Sequence, residues 1–251
     1  FGDKITCGSW KDIWLNEGFA TYLSGLCYEN IAPEWWEAFR RTRIEGACVV
    51  SDGSVWCDDT TSVSRIFSPH LSYSKGAMVL HMLRYQLGDS LFFGALRNYL
   101  NDVNLAYGFA ATPDLKYHLE AASGKDLTGF FTEWVYGKGF PSYQINWAQD
   151  FSNQLTLTLN QTQSHPSVSF FTMPVQLRFI GAQGDTTITF NHTQSGQTFV
   201  LNKFPFAVDT IVFDPNLWIV SKNSTLARNA AYQLAMMVYP NPVSNTLQLR
   251  V

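Results

Sequence analysis

The hydrophobic period of this chain changes at Pro141, and no single secondary-structure class accommodates both halves. Up to that residue apolar positions recur every three to four residues in segments closed by Gly and Pro. After it they alternate, as in Leu155-Thr156-Leu157-Thr158-Leu159, Val175-Gln176-Leu177-Arg178-Phe179 and Thr187-Ile188-Thr189-Phe190, with more strand-like sequence at Phe199 to Leu201 and Ala207 to Phe213. A period of 3.6 marks helices that bury one face, and a period of 2 marks half-buried strands. The switch predicts an α+β multidomain chain, with a helical domain over 1–141 and a β-sandwich over 142–221. Residues 222–237 read as a linker with weak helical pattern, and 238–251 as a separate segment.

The helical half divides further. The spacing predicts helices from Pro33, from Lys75 to Leu87, from Leu91 to Leu100, from Pro113 to Gly124 and from Leu127 to Tyr136. Residues 51–62 form a polar, turn-rich loop. Hydrophobic residues make up 46% of the 251 and charged residues only 15%, enough apolar material for packed cores. A net charge of −3 without a Lys/Arg cluster argues against a nucleic-acid partner. No apolar run approaches the roughly 20 residues of a membrane span.

Within the helical half, Trp10 to Tyr22 is the stretch with chemical content. Ser9 and Asp12 have the spacing of a capping box, so a helix is expected from Trp10. Its apolar residues fall on nearly every face, which predicts a buried helix. Glu17 stands in the middle, with Ile13, Trp14 and Ala20 as its helical neighbours. A buried carboxylate is costly unless a cation, a backbone amine or a metal meets it. The residues alone leave open a structural ion pair and a functional carboxylate. Gly18 follows, at a helix cost of about 1 kcal/mol relative to Ala, and implies a close approach to the backbone there.

The other reactive residues carry weaker signals. Cys7, Cys27, Cys48 and Cys57 contain no C-x-x-C pair. Cys48 and Cys57 flank a Gly/Ser/Asp segment that a disulfide could close in an exported protein, and buried reduced thiols fit equally well. Of His70, His81, His118, His165 and His192, no two stand at i, i+4, so the zinc motif H-E-x-x-H is absent from these residues.

The segment Trp10-Lys11-Asp12-Ile13-Trp14-Leu15-Asn16-Glu17-Gly18-Phe19-Ala20 resembles the third-ligand helix of the aminopeptidase N-like zinc metallopeptidases (gluzincins). The resemblance implies the helical half of a thermolysin-like catalytic domain, one catalytic Zn2+, and Glu17 as a metal ligand. Asn16 and Asp12 then become candidates for orienting the ligands, although Asp12 equally suits the first turn of a helix. The family's H-E-x-x-H supplies two His ligands and a general-base Glu. Its spacing puts the second His three positions before Phe1, so the chain is expected to be a piece of a longer protein. Tyr73-Ser74-Lys75-Gly76-Ala77 resembles the family's Y-x-K-G-A block, which implies that the Tyr73 hydroxyl stabilises the oxyanion. Phe131-Thr132-Glu133-Trp134-Val135 through Gly139-Phe140-Pro141 resembles the family's exit into a β-sandwich.

The implied function is hydrolysis of N-terminal peptide bonds of peptide substrates. The piece by itself is expected to be inactive. The tail Val238-Tyr239-Pro240-Asn241-Pro242 resembles the start of a Bacteroidota-type C-terminal sorting domain, which implies delivery by the type IX secretion machinery to the cell surface or medium, with the periplasm as the alternative. Against the enzyme stands a different class, a catalytically inactive secreted binding or scaffold module.

Overall fold

Trp14–Ile31 form an 18-residue helix, α1, and the helical unit packs around its inner stripe. A computed structural model describes residues 1–229. Trp14, Leu15, Gly18, Phe19, Tyr22 and Gly25 of α1 are buried, at the i, i+4, i+8 and i+11 spacing of one helical face. Two expectations are corrected here. The helix begins at Trp14, because Trp10–Asp12 form a separate 3-10 turn. It is also buried on one side only, since Ala20 and Leu23 face solvent and Trp10 is 53% exposed. Glu17 is half-buried rather than enclosed.

Strand β1 (Ile5–Cys7) precedes α1, and α2 (Trp36–Ala47) follows it. After the polar loop and a short helix α3 (Val63–Ile66), Pro69–Lys75 wind as a π-helical turn. There the Tyr73 N–H reaches back five residues to the Ser68 carbonyl, at 3.4 Å. The turn runs directly into α4 (Gly76–Leu87), so α4 starts one residue later than the pattern predicts. Gly88, at φ 79°, ends α4, and α5 (Asp89–Asn101) starts at once. Strand β2 (Gly108–Ala110), which sequence periodicity missed, pairs in parallel with β1. Then come α6 (Thr112–Ser123), α7 (Thr128–Phe130) and a second π-helical turn, Phe131–Tyr136.

Residues 1–142, 162–174 and 216–222 make up this unit, so two segments from the strand-rich half return to it. Trp134 shows why for the first: its ring lies 4.6 Å from that of Phe171, and its indole N–H donates to the Thr172 carbonyl. Trp218 shows it for the second, stacked on His81 at 4.3 Å and on Tyr85 at 4.9 Å.

The second unit is a sandwich of two sheets. One has the order β7 (Gln197–Leu201), β4 (Leu155–Gln163), β3 (Pro141–Gln149) and β9 (Thr225–Arg228). The other has the order β6 (Gly184–His192), β5 (Met173–Gly181) and β8 (Thr210–Phe213). Leu155, Leu157 and Leu159 face inward from one sheet, and Val175, Leu177 and Phe179 from the other. Rings cross between them at Tyr143–Phe213 and Phe190–Phe199. The expected linker over 222–237 is corrected in its first part. Thr225–Arg228 pair in parallel with β3, and Arg228 caps the Trp147 ring at 4.9 Å. The remainder of that stretch and the sorting segment 238–251 lie outside the described residues.

Candidate active site

Two glycines set the geometry. A Cβ built on Gly18 of α1 would lie 2.9 Å from the carbonyl carbon of Gly76, and one built on Gly76 would lie 3.2 Å from the Gly18 Cα. Helix α1 and the start of α4 therefore meet backbone to backbone. Glu17 precedes the first glycine and Tyr73 stands three residues before the second. The contact brings the Tyr73 side chain beside the Glu17 carboxylate, close enough to feel its charge. Partial burial first, then the nearby Glu17 charge, raise the Tyr73 pKa above its ordinary value. The phenol is therefore a proton donor at neutral pH.

Glu17 has no Lys, Arg or His ion-pair partner among the described residues. The structural ion pair left open by the sequence is not formed there. Nor do three side chains of His, Cys, Asp or Glu converge into a metal-binding group among those residues. The residues present fit a single oxygen ligand, one half-buried carboxylate without a cation, beside a phenol donor.

Asp12 and Asn16 face elsewhere. Asp12 is buried, and its Oδ1 accepts from the Thr112 N–H at 3.0 Å and from the Thr112 hydroxyl at 2.7 Å. The Trp14 indole N–H donates to the same hydroxyl oxygen at 2.9 Å, and Ser9 donates to Asp12 Oδ2. Asp12 thus caps α6 from a distant part of the chain and does not meet Glu17. The Asn16 Oδ1 accepts from the Cys7 N–H at 3.0 Å, pinning β1 beside α1. A cavity of about 500 Å³ opens at that place, walled by Thr6, Cys7, Trp10, Lys11, Asn16 and Thr60, with neither Glu17 nor Tyr73 in its lining.

The four cysteines are free thiols, which removes the Cys48–Cys57 disulfide. Cys57 packs instead with Ile13 and Ile66, while burial raises the Cys48 thiol to about 12.

The peptidase family M1 domain matches residues 1–134. The chain belongs to the peptidase M1 family. Alanine/arginine aminopeptidase of Saccharomyces cerevisiae is 33% identical over 166 residues, which is 63% of this chain and 19% of that protein. Aminopeptidase M1 of Arabidopsis thaliana is 37% identical over 150 residues, 56% of this chain and 16% of that protein. Aminopeptidase N of Lactococcus lactis is 33% identical over 171 residues, 65% of this chain and 19% of that protein. The chain thus spans about a fifth of the length of these curated relatives. Among solved structures, Legionella pneumophila aminopeptidase A superposes with a TM-score of 0.68 over 91% of this chain and 25% of its own, at 16% identity, a likeness of fold. The family match ends at residue 134, in the second π-helical turn, and includes both Glu17 and Tyr73.

The sequence missed three members of this arrangement. Gly76 and Lys75 sit in a recognisable block, but their partners are distant in sequence: Gly18 for Gly76, and for the Lys75 Nζ the Gly139 carbonyl. Thr112 carried no signal, since a Thr at a helix start is ordinary.

Proposed function

We propose that this chain supplies one metal ligand and the oxyanion donor of a zinc-dependent aminopeptidase that acts on peptide substrates. The juxtaposition of Glu17 and Tyr73 across the Gly18–Gly76 contact carries the reading: a carboxylate with no cation among the described residues lies beside a phenol held protonated. Glu17 would hold Zn2+ together with two His from an H-E-x-x-H upstream of Phe1. A bound zinc supplies Lewis acidity toward a peptide carbonyl and acidifies its water. The Tyr73 hydroxyl donates a hydrogen bond where negative charge develops on the carbonyl oxygen. The Gly18–Gly76 contact holds both groups on rigid elements.

The test is made on the full-length protein, with zinc content by elemental analysis and hydrolysis of aminoacyl p-nitroanilides. Glu17→Ala is expected to lose both zinc and activity. Tyr73→Phe is expected to keep zinc and lose activity by on the order of a hundredfold. Retention of zinc and rate by Glu17→Ala removes the assignment of Glu17, whereas a parent protein that binds no zinc and shows no hydrolysis favours the inactive scaffold. The isolated 251-residue polypeptide, with one proposed zinc ligand and no metal-binding group among its described residues, is expected to show no turnover. The Tyr239-Pro240-Asn241-Pro242 tail supports export by the type IX machinery. Intracellular retention of a secreted reporter carrying the full-length C-terminus would exclude that route.

A further inference from the structure

Lys75 is a costly side chain to bury in the helical unit. It is 1% exposed, and its Nζ meets no carboxylate: it donates to the Gly139 carbonyl at 2.8 Å and lies 3.5 Å from the Gly137 carbonyl. Burying an ammonium against two backbone oxygens is expensive, and an apolar side chain of similar length fills such a space at lower cost. The position of these contacts shows what they hold. Lys75 is the last residue of the π-helical turn that carries Tyr73. The rest of that turn has side-chain fastenings of its own. The Ser68 hydroxyl accepts from the Leu71 N–H, Ser72 donates to the Ile66 carbonyl at 2.7 Å, and His70 Nδ1 pairs with the Gly46 carbonyl at 3.0 Å. Those three fix the start and middle. Beside the Gly18–Gly76 backbone contact, Lys75 supplies the side-chain hydrogen bonds that tie the end of the turn to the Gly137–Gly139 segment.

The receiving turn is rigid. Gly139 has φ 82°, and a Cβ there would lie 2.5 Å from Ser164 Oγ. Lys138 next to it is held by Asp52 at 2.8 Å, and the Lys138 N–H by Ser167 Oγ at 3.0 Å. A π-helical turn has a weaker hydrogen-bond ladder than an α-helix and recurs at functional sites. A phenol on such a turn needs an external anchor to keep its direction.

We infer that Lys75 is a positioning residue for Tyr73: its Nζ, bonded to the Gly137–Gly139 turn, fixes the end of the π-helical turn and so the aim of the phenol at the Glu17 side. The inference rests on Tyr73 being the oxyanion donor, and two measurements separate the two ideas. In the full-length holoenzyme, Lys75→Met is expected to lower kcat on the order of tenfold with KM nearly unchanged. In a Tyr73→Phe background the same substitution should change kcat by less than about twofold, since an effect routed through an absent hydroxyl disappears. An undiminished loss in that background makes Lys75 merely structural and overturns the inference. If Tyr73→Phe alone leaves kcat unchanged, the site assignment fails instead. Hydrogen–deuterium exchange of the metal-free full-length protein then decides Lys75 by itself. Lys75→Met should speed exchange of the 69–75 amides while α1 and α5 keep their protection. Unchanged exchange there also overturns the inference. Lys75→Gln, which retains a donor, serves where the Met variant does not fold and should recover part of the loss.

Discussion

The backbones of Gly18 and Gly76 touch, and the space between them holds no Cβ: one built at Gly18 lies 2.9 Å from the Gly76 carbonyl carbon and 3.3 Å from the Ala77 nitrogen. Two effects oppose each other in Gly18→Ala. Alanine is the better helix former by about 1 kcal/mol. Against that, the obstructing atoms are backbone, which no rotamer change can move aside, and overpacking of this kind costs about 1–3 kcal/mol. The clash wins. Gly18→Ala is expected to lower the thermal midpoint of the helical unit, followed by circular dichroism, and to lower activity in the full-length protein because Glu17 and Tyr73 are pushed apart. A midpoint equal to or above the parent's would show that the helices separate at no cost.

Asp12 was a candidate for orienting a metal ligand, and its contacts give it a different task. Its carboxylate satisfies the Thr112 N–H at the start of α6 and the Thr112 hydroxyl. Asp12→Ala strands a buried donor pair and removes a helix cap, each worth about 1–2 kcal/mol. The expected result is a destabilised helical unit whose full-length form retains its zinc. Loss of zinc at unchanged stability would return Asp12 to the metal site.

How far the sequence carried this picture depended on the range of each interaction. Helix and strand segments, the change of texture at Pro141 and the close approach at Gly18 were legible, because periodicity and the cost of a mid-helix glycine are local signals. The helix start was misplaced because Asp12 spends its carboxylate on Thr112, 100 residues away, rather than on its own helix. Residues 162–174 and 216–222 could not be assigned to the helical unit from their own pattern, since the deciding partners, Trp134 and His81, lie elsewhere. Strand β9 was hidden because all four of its residues are exposed and show no inward face. Glu17 and Tyr73 were identified by resemblance; their meeting was not readable from composition or spacing.

Arg84 ties three helices together at the far end of α4. Its guanidinium is buried, with Nη1 donating to Glu29 Oε2 at 2.6 Å and Nη2 to Oε1 at 3.0 Å, on α1. Nε and Nη2 also bond Asp89 at 2.7 and 2.9 Å, at the start of α5. The planar fork reaches both carboxylates at once, which an ammonium cannot do. Arg84→Lys is therefore expected to destabilise the helical unit by roughly 1–2 kcal/mol, with the discount appropriate to a largely exposed Asp89. Urea denaturation checks the value, and a midpoint unchanged by the substitution would show that the bidentate geometry contributes nothing.

The buried Lys75 amine makes stability depend on pH in a direction opposite to that of a salt-bridged lysine. Burial first, with the Arg65 charge adding to it and the Cys48 thiol opposing, pushes its pKa down to about 7 from 10.5. Below pH 7 the amine is protonated in both the folded and unfolded chains and contributes no slope. Between about 7 and 10.5 the unfolded chain binds a proton that the folded one has released, so this group raises stability as pH increases. The stabilisation is complete above the unfolded value and is lost as pH falls through the folded one. Lys75→Met removes the term. The difference in thermal midpoint, parent minus Lys75→Met, is expected to shift in the parent's favour from pH 7 to pH 10, measured on the transition of the helical unit. A difference that stays flat over that range, or moves the other way, would mean that Lys75 remains charged in the folded protein, held as an ammonium by the Gly137 and Gly139 carbonyls.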